Sequence, residues 1–127
     1  MSATDRAQTT RHVLVIDDDP GVRFVLGEMV RRLGFASLLA GNGREGLDLQ
    51  RAHAASIDCT LVDVTMAEWD GAETRARIRA EFPRAAVLLM SGRVDGRGNA
   101  GDFLCKPFTL RELERALSEA SSVAAGE

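Results

Sequence analysis

The sequence predicts an α/β protein built on an open, mostly parallel sheet. Four short apolar runs alternate with helical patterns along the 127-residue chain; the runs lie at 13–16, 59–62, 87–90 and 103–105. Short, mainly apolar runs bounded by turn residues are typical of strands buried on both faces, as in parallel sheets. Another short strand is expected at 36–40, which makes it the second of five strands in chain order.

Helix signals follow the first two strands. Asp19 and Pro20 mark the start of the first helix, as an N-cap acid followed by proline at the first helical position, and Gly34 ends it. Asn42 opens the second helix. Gly46 is expected to weaken that helix by about 1 kcal/mol relative to alanine.

Two further helices are predicted after the third and fifth strands. The third helix follows the loop 64–71 and reaches about Phe82, where Pro83 closes it. The last helix begins at a capping box formed by Thr109 and Glu112. Helices between strands are the connections that parallel strands need.

Composition excludes several classes of protein. The net charge is −3, with 45% hydrophobic and 28% charged residues, so no basic face indicates direct binding of nucleic acid. No apolar stretch approaches the roughly 20 residues of a membrane span. The two cysteines lie at predicted strands without the paired spacing of a zinc site or a disulfide framework, which favours a reducing compartment.

The domain is expected to cover residues 11–121, with flexible tails at 1–10 and 122–127. The segment 93–102 is unusual because it contains three glycines and almost no apolar residues. Such a segment does not favour a stable helix. It nevertheless has to carry the crossover between the fourth and fifth strands, which usually takes a dozen or more residues.

Polar residues of different chemical kinds end the strands. Asp17 and Asp18 follow the first strand, Asp63 the third, Ser91 the fourth and Lys106 the last. Each alone has an ordinary explanation as a cap or turn residue. The carboxyl ends of parallel strands share one edge, however, so the side chains should converge. Neighbouring carboxylates are costly without a cation, and a hard cation such as Mg²⁺ together with a phosphoryl group suits this set.

These motifs resemble the receiver domain of two-component response regulators. The resemblance covers about residues 12–120. The matching motifs are Val15-Ile16-Asp17-Asp18-Asp19-Pro20, Leu61-Val62-Asp63, Met66-x-x-x-Asp70-Gly71, Leu89-Met90-Ser91-Gly92 and Lys106-Pro107-Phe108. The resemblance implies a flavodoxin-like, doubly wound sheet of five strands in the order 2-1-3-4-5.

The resemblance also implies a function. Asp63 would be the phosphoacceptor, taking a phosphoryl group from a phosphohistidine on a histidine kinase or histidine phosphotransfer protein. The cofactor would be Mg²⁺, held by Asp17, Asp18, Asp63 and the backbone carbonyl of Thr65. A receiver accepts a phosphoryl group and loses it by self-dephosphorylation, so a conventional turnover enzyme is not expected.

Further roles follow from the same resemblance. Ser91 and Lys106 would bind the phosphoryl oxygens, and Ser91 with Phe103 would form a switch that changes a protein-binding surface. A bacterial, cytoplasmic signalling protein is expected, with no membrane or nucleic-acid contact and with a phosphorylation-dependent dimer as a possible state.

Two positions depart from the family pattern. Ala67 stands where the family usually has proline. The segment 93–102 is shorter than usual by roughly two helical turns, so the family's fourth helix is expected to be shortened or missing.

Two alternatives remain open at this point. A degenerate receiver would act as a binding module independent of phosphorylation. A haloacid-dehalogenase-type phosphatase would instead use Asp17 as nucleophile and Asp19 as general acid, although the chain is short for that fold and Asp63 would have no role.

Overall fold

Five parallel strands form one sheet in the computed structural model, which describes residues 10–92 and 103–124. The strands are β1 (His12–Ile16), β2 (Ala36–Ala40), β3 (Ile57–Asp63), β4 (Val87–Ser91) and β5 (Phe103–Cys105). Their order is β2-β1-β3-β4-β5, and all neighbouring strands are parallel. The predicted flavodoxin-like order 2-1-3-4-5 is confirmed.

Four helices within the described residues cover both faces of this sheet. They are α1 (Pro20–Arg32), α2 (Gly43–His53), α3 (Gly71–Glu81) and α4 (Leu110–Ala124). Helices α1 and α4 share one apolar cluster with the sheet, and α2 and α3 share the other. The sheet is therefore the middle of three layers, as expected for a doubly wound protein.

Strand β1 shows why its sequence is apolar at every position after His12. Val13 and Val15 belong to the cluster under α1 and α4, whereas Leu14 and Ile16 belong to the cluster under α2 and α3. All four side chains are fully buried. Because successive strand residues point to opposite faces, a strand covered on both sides favours apolar residues at every buried position.

The predicted helix starts are confirmed by their hydrogen bonds. The Asp19 carboxylate accepts from the backbone N–H groups of the first turn of α1, and Asn42 and Asp70 cap α2 and α3 in the same way. Thr109 and Glu112 form the predicted reciprocal capping box, with distances of 2.8 and 3.0 Å. These caps satisfy N–H groups that lack partners within the helix.

Gly46 has a packing role that its helix propensity does not reveal. A Cβ atom at this position would collide with the side chain of Ile16. Helix α2 therefore lies close to β1 only because residue 46 has no side chain. The expected local cost of glycine is accepted in exchange for close packing of a helix on the sheet.

Parts of the expected organisation fall at or beyond the described residues. Helix α4 continues to Ala124, past the domain boundary expected at 121, because no glycine or proline occurs before Gly126. The tails at 1–9 and 125–127 and the predicted short crossover at 93–102 lie outside the described residues. Among the helices that the structure describes, none has the length and hydropathy to span a membrane.

Candidate functional site

The residues that end the strands meet at one edge of the sheet. Asp17 comes directly after β1, Asp63 ends β3, Ser91 ends β4 and Lys106 follows β5. Parallel strands place all these positions at the carboxyl edge, where open α/β sheets bind ligands. The structure brings Asp17, Asp63 and Lys106 into direct contact.

Lys106 bridges the two carboxylates. Its Nζ lies 2.8 Å from Oδ2 of Asp17 and 2.9 Å from Oδ1 of Asp63. The side chains of Lys106, Asp17 and Asp63 keep 21%, 2% and 13% of their exposure, so water screens these contacts only partly. Lys106 is also the only lysine among the 16 Lys and Arg residues of the chain, a sequence signal that marks it without any motif.

Three carboxylates lie close enough to share one cation. One carboxylate oxygen each from Asp17, Asp18 and Asp63 lies within 4.8 Å of the others. A set of oxygen ligands with net negative charge fits a hard divalent cation such as Mg²⁺. The carboxylate of Asp17 already accepts hydrogen bonds on both oxygens, from the Asp19 N–H at 3.0 Å and from Lys106. Asp18 is exposed, so its oxygens are the more accessible.

The protonation of the site follows from burial and charge. Burial raises the pKa of Asp63 above its usual value, the hydrogen bond from Lys106 opposes the rise, and the neighbouring charges of Asp17 and Asp18 add to it. Burial lowers the pKa of Lys106, but its hydrogen bonds to Asp17 and Asp63 outweigh burial and the pKa is raised. Lys106 therefore carries its charge at neutral pH. A second cation that binds near Asp63 would stabilise the charged form of its carboxylate.

The loop after β3 is fixed at both ends beside Asp63. The Val64 N–H donates to the Met90 carbonyl at 2.8 Å, and the Gly71 N–H donates to the Val64 carbonyl at 2.9 Å. A Cβ atom at Gly71 would lie 2.7 Å from the Asp63 carbonyl oxygen, so α3 approaches β3 only through glycine. Thr65 is exposed in this loop, and the metal contact of its carbonyl stays a prediction.

The predicted switch residues lie on the neighbouring strands. Ser91 is half-buried, and its backbone carbonyl accepts from the Lys106 N–H at 2.7 Å. Phe103 is half-buried at the start of β5 and packs against the apolar cluster under α2 and α3. Ser91 pairs with Cys105 across the two strands, so the switch residues occupy different positions along the sheet. Their predicted roles remain predictions.

Two contacts near the site were not anticipated from the sequence. Nη1 of Arg23 donates to the backbone carbonyl of Asp17 at 2.7 Å. Trp69 is half-buried, and the guanidinium groups of Arg44 and Arg77 lie 4.7 and 4.1 Å from the centre of its ring. Neither contact follows from sequence spacing, because each joins different segments of the chain.

Comparison with known families gives one match over most of the chain. The model of the response regulator receiver domain matches residues 13–118. The transcriptional regulatory protein ZraR of Klebsiella oxytoca is 36% identical over 115 residues, which is 85% of this chain and 26% of that protein. The chain thus spans about a quarter of that relative.

Solved structures show the same architecture. A response regulator receiver domain protein from Clostridium thermocellum has a TM-score of 0.80 at 25% identity, covering 91% of this chain and 97% of that one. The response regulator TrrA from Thermotoga maritima, in complex with Mg(2+)-BeF, has a TM-score of 0.73 at 25% identity, covering 87% and 98%.

Proposed function

Because this chain belongs to the response regulator receiver domain family, we propose that it accepts a phosphoryl group on Asp63. Receivers of this family are the phosphoacceptors of two-component signalling, not conventional turnover enzymes. The observation that carries the assignment to Asp63 is the cluster in which Lys106 contacts Asp63 while Asp17 and Asp18 lie within cation-sharing distance. Positioning and charge neutralisation are most of what phosphoryl transfer asks of a protein.

The proposed donor is a phosphohistidine of a histidine kinase or histidine phosphotransfer protein. An oxygen of the Asp63 carboxylate forms a bond to phosphorus while the bond between phosphorus and the imidazole nitrogen breaks. The bonding electron pair stays on that nitrogen, so no proton has to leave Asp63, which reacts as the carboxylate. Lys106 offsets the charge that the phosphoryl oxygens bring to the site.

Mg²⁺ is the cofactor that we assign to this site. Asp18, Asp63 and the carbonyl of Thr65 would hold it directly, with Asp17 beside them, since both Asp17 oxygens already accept hydrogen bonds. When bound, the ion supplies positive charge to the phosphoryl oxygens. The complex of TrrA with Mg(2+)-BeF supports this choice, because that receiver shares the fold at 25% identity.

The response to phosphorylation is proposed to use the neighbouring strands. Ser91 would donate a hydrogen bond to a phosphoryl oxygen, and Phe103 would repack and change a protein-binding surface, including a surface for a phosphorylation-dependent dimer. Hydrolysis of the acyl phosphate in the same pocket would reset the domain, which we take to run from residue 11 through α4. Cys59 and Cys105 are not joined in a disulfide, which fits a cytoplasmic protein.

The geometry argues against Asp17 as the nucleophile of a phosphatase. Its side chain is only 2% exposed, and both of its oxygens accept hydrogen bonds from Asp19 and Lys106. Asp19 itself caps α1 by accepting from Gly21 and Val22, which leaves it poorly suited to act as a general acid. Asp63 is therefore the better nucleophile.

Phosphoryl uptake tests the proposal directly. We expect incubation with Mg²⁺ and acetyl phosphate to add the mass of one phosphoryl group to the intact protein, and Asp63→Ala or removal of Mg²⁺ to abolish the adduct. Asp58→Ala is the matched control because Asp58 lies near the other end of the same strand and pairs with Arg11. Intact-mass spectrometry and peptide mapping of the labelled residue give the readout.

Two results would contradict the assignment. An adduct that persists in Asp63→Ala, or that maps to Asp17, would move the nucleophile to β1. Binding of a partner that is identical in the wild type, in Asp63→Ala and with acetyl phosphate present would instead favour the degenerate receiver.

A further inference from the structure

Arg23 connects three segments that meet beside the carboxylate cluster. It lies in the second turn of α1, and its Nη1 donates to the backbone carbonyl of Asp17 just after β1. A Cβ atom at Gly41 would lie 3.2 Å from the same Nη1, so the guanidinium also fills the space against the turn between β2 and α2. The side chain is half-buried.

The hydrogen bond from Arg23 is one of several that hold Asp17 in place. The Asp17 N–H donates to the Ala40 carbonyl at 3.1 Å, and the Asp17 carboxylate accepts from Asp19 and Lys106. The carbonyl of Asp17 is held by Arg23 at 2.7 Å. This carbonyl belongs to the peptide unit that leads into Asp18, so its orientation sets the direction in which the Asp18 side chain leaves the chain.

The charge of Arg23 makes the contact unusual. Within residues 10–92 and 103–124, no carboxylate forms an ion pair with this guanidinium, although Asp17, Asp18 and Asp19 are all nearby in sequence. The guanidinium donates instead to a neutral backbone carbonyl. A bare positive charge beside the cluster would by Coulomb's law repel a divalent cation, so an electrostatic role of Arg23 would weaken Mg²⁺ binding.

We propose that Arg23 is a positioning residue for the cation site, which it serves by fixing the peptide between Asp17 and Asp18. The inference rests on the proposed function, because it takes Mg²⁺ as the ion of the cluster. Arg23 acts on the ligands through backbone geometry, and this effect exceeds the repulsion between its charge and the ion. Groups that orient metal ligands are commonly worth about 10- to 100-fold in affinity.

Two substitutions separate position from charge. Arg23→Met removes both the hydrogen bond and the charge, and we expect the Kd for Mg²⁺ to rise about tenfold. A purely electrostatic role predicts the opposite, tighter binding. Arg23→Lys keeps the charge on a shorter side chain; we expect a smaller rise in Kd, whereas an electrostatic role predicts no change. Isothermal titration calorimetry of the full chain with MgCl₂ measures both.

Local exchange gives a second readout. The Asp19 N–H donates to the Asp17 carboxylate, so we expect it to lose hydrogen-exchange protection in metal-free Arg23→Met, while the amides of Val13 and Val15 keep theirs. At saturating Mg²⁺, phosphoryl uptake from acetyl phosphate should return to the wild-type rate. Arg32→Met is the control, since Arg32 is an exposed arginine in the last turn of the same helix.

The outcomes separate the inference from the function it rests on. Wild-type protein that does not bind Mg²⁺ contradicts the assigned ion. Wild-type protein that binds Mg²⁺, with unchanged or tighter binding in Arg23→Met, overturns the role of Arg23 alone. If Arg23→Met does not fold, Arg23→Lys decides the question, and an unchanged Kd in that variant overturns the inference.

Discussion

Two groups of residues, each containing both positive and negative side chains, lie at different depths in this molecule. The site cluster consists of Asp17, Asp63 and Lys106 at the carboxyl edge of the sheet, with side chains at most 21% exposed. The α2–α3 network lies on the outer surface, with side chains at least 39% exposed. Its ion pairs are Arg44–Glu68, Arg51–Glu81, Arg51–Asp48 and Arg77–Glu73.

Distances alone do not distinguish the two groups. The pair between Arg51 and Glu81 is 2.6 Å long, shorter than either contact of Lys106. What differs is charge at low exposure: Arg51 also contacts two carboxylates, Glu81 and Asp48, but at the exposed surface, whereas Lys106 contacts two partly or fully buried carboxylates and a third lies nearby. The site cluster therefore has excess negative charge at low exposure, which is what a cation and a phosphoryl group can use.

The type of cation differs as well. The network uses arginines, whose planar guanidinium groups pair with carboxylates and also stack on Trp69. The site uses the only lysine of the chain, a compact charge that contacts one carboxylate oxygen just after β1 and another at the end of β3. The short exposed ion pairs stabilise the protein surface. The partly buried site cluster, with its excess negative charge, is the group suited to bind a cation and a phosphoryl group.

Removing Lys106 should give the largest effect on stability. Lys106→Met leaves Asp17 and Asp63 close together without their counter-charge, and we expect a loss of roughly 2 kcal/mol in the metal-free protein. This is below the range of about 3–5 kcal/mol for a fully buried partner because Lys106 is partly exposed. Mg²⁺ should bind this variant more tightly than the wild type, since a competing cation is gone.

Urea unfolding with and without Mg²⁺ measures both effects of this change. The matched control is Lys106→Arg, which keeps the charge and should retain more of the metal-free stability. Equal stability of Lys106→Met and wild type in the absence of Mg²⁺ would mean that the site cluster behaves like the exposed network.

The pH dependence of stability should separate Asp63 from the surface carboxylates. Its pKa is raised in the folded protein, so the folded state holds the proton more strongly than the unfolded state. Proton binding at Asp63 contributes its full stabilisation of the folded state below the ordinary pKa of 3.8. This contribution is lost as pH rises through the higher pKa of the folded state. Asp63→Asn avoids the loss, so its stability relative to wild type should increase toward neutral pH.

Glu81 should show the opposite dependence of stability on pH. Its effect should be smaller than those expected for Lys106 and Asp63. The hydrogen bond from Arg51 lowers the pKa of Glu81, so its stabilising effect is present above the ordinary value of 4.5 and is lost as pH falls through the lower folded value. Glu81→Gln should therefore lose stability relative to wild type toward neutral pH, and added salt should reduce the difference because the pair is exposed.

One experiment covers both carboxylates. Urea midpoints of wild type, Asp63→Asn and Glu81→Gln are compared without Mg²⁺ between about pH 3 and pH 7. Slopes of the same sign in the two variants would show that burial and charge balance do not distinguish the site cluster from the network.

The strands and the helix starts were predictable because their signals are local. The apolar runs of β1 and β3, the caps at Asp19 and Asn42 and the capping box at Thr109 each depend on residues a few positions apart. The last helix extends three residues past the domain boundary expected at 121, since serines near the C-terminus resemble a tail although they do not break a helix.

The candidate site was predictable for a different reason. The identity and order of the polar residues at the strand ends suffice once the strands are taken as parallel, because topology then places those ends at one edge. The contacts between individual side chains could not be predicted from the order of residues and the topology. Gly46 appeared only as a weak point in a helix, and its role became clear from the position of Ile16 across the layer.

The sequence by itself determined the α/β class, the positions of the strands and which residue types end them, because these follow from periodicity, turn chemistry and order along the chain. Only the tertiary structure decided that Lys106 contacts Asp17 and Asp63 together, that Arg23 holds the carbonyl of Asp17 and that the Arg51–Glu81 pair stays at the surface. The contacts of Lys106 and the Arg51–Glu81 pair join residues far apart in sequence, and the contact of Arg23 joins α1 to the end of β1. Their strength depends on burial, which exists only after the layers have packed.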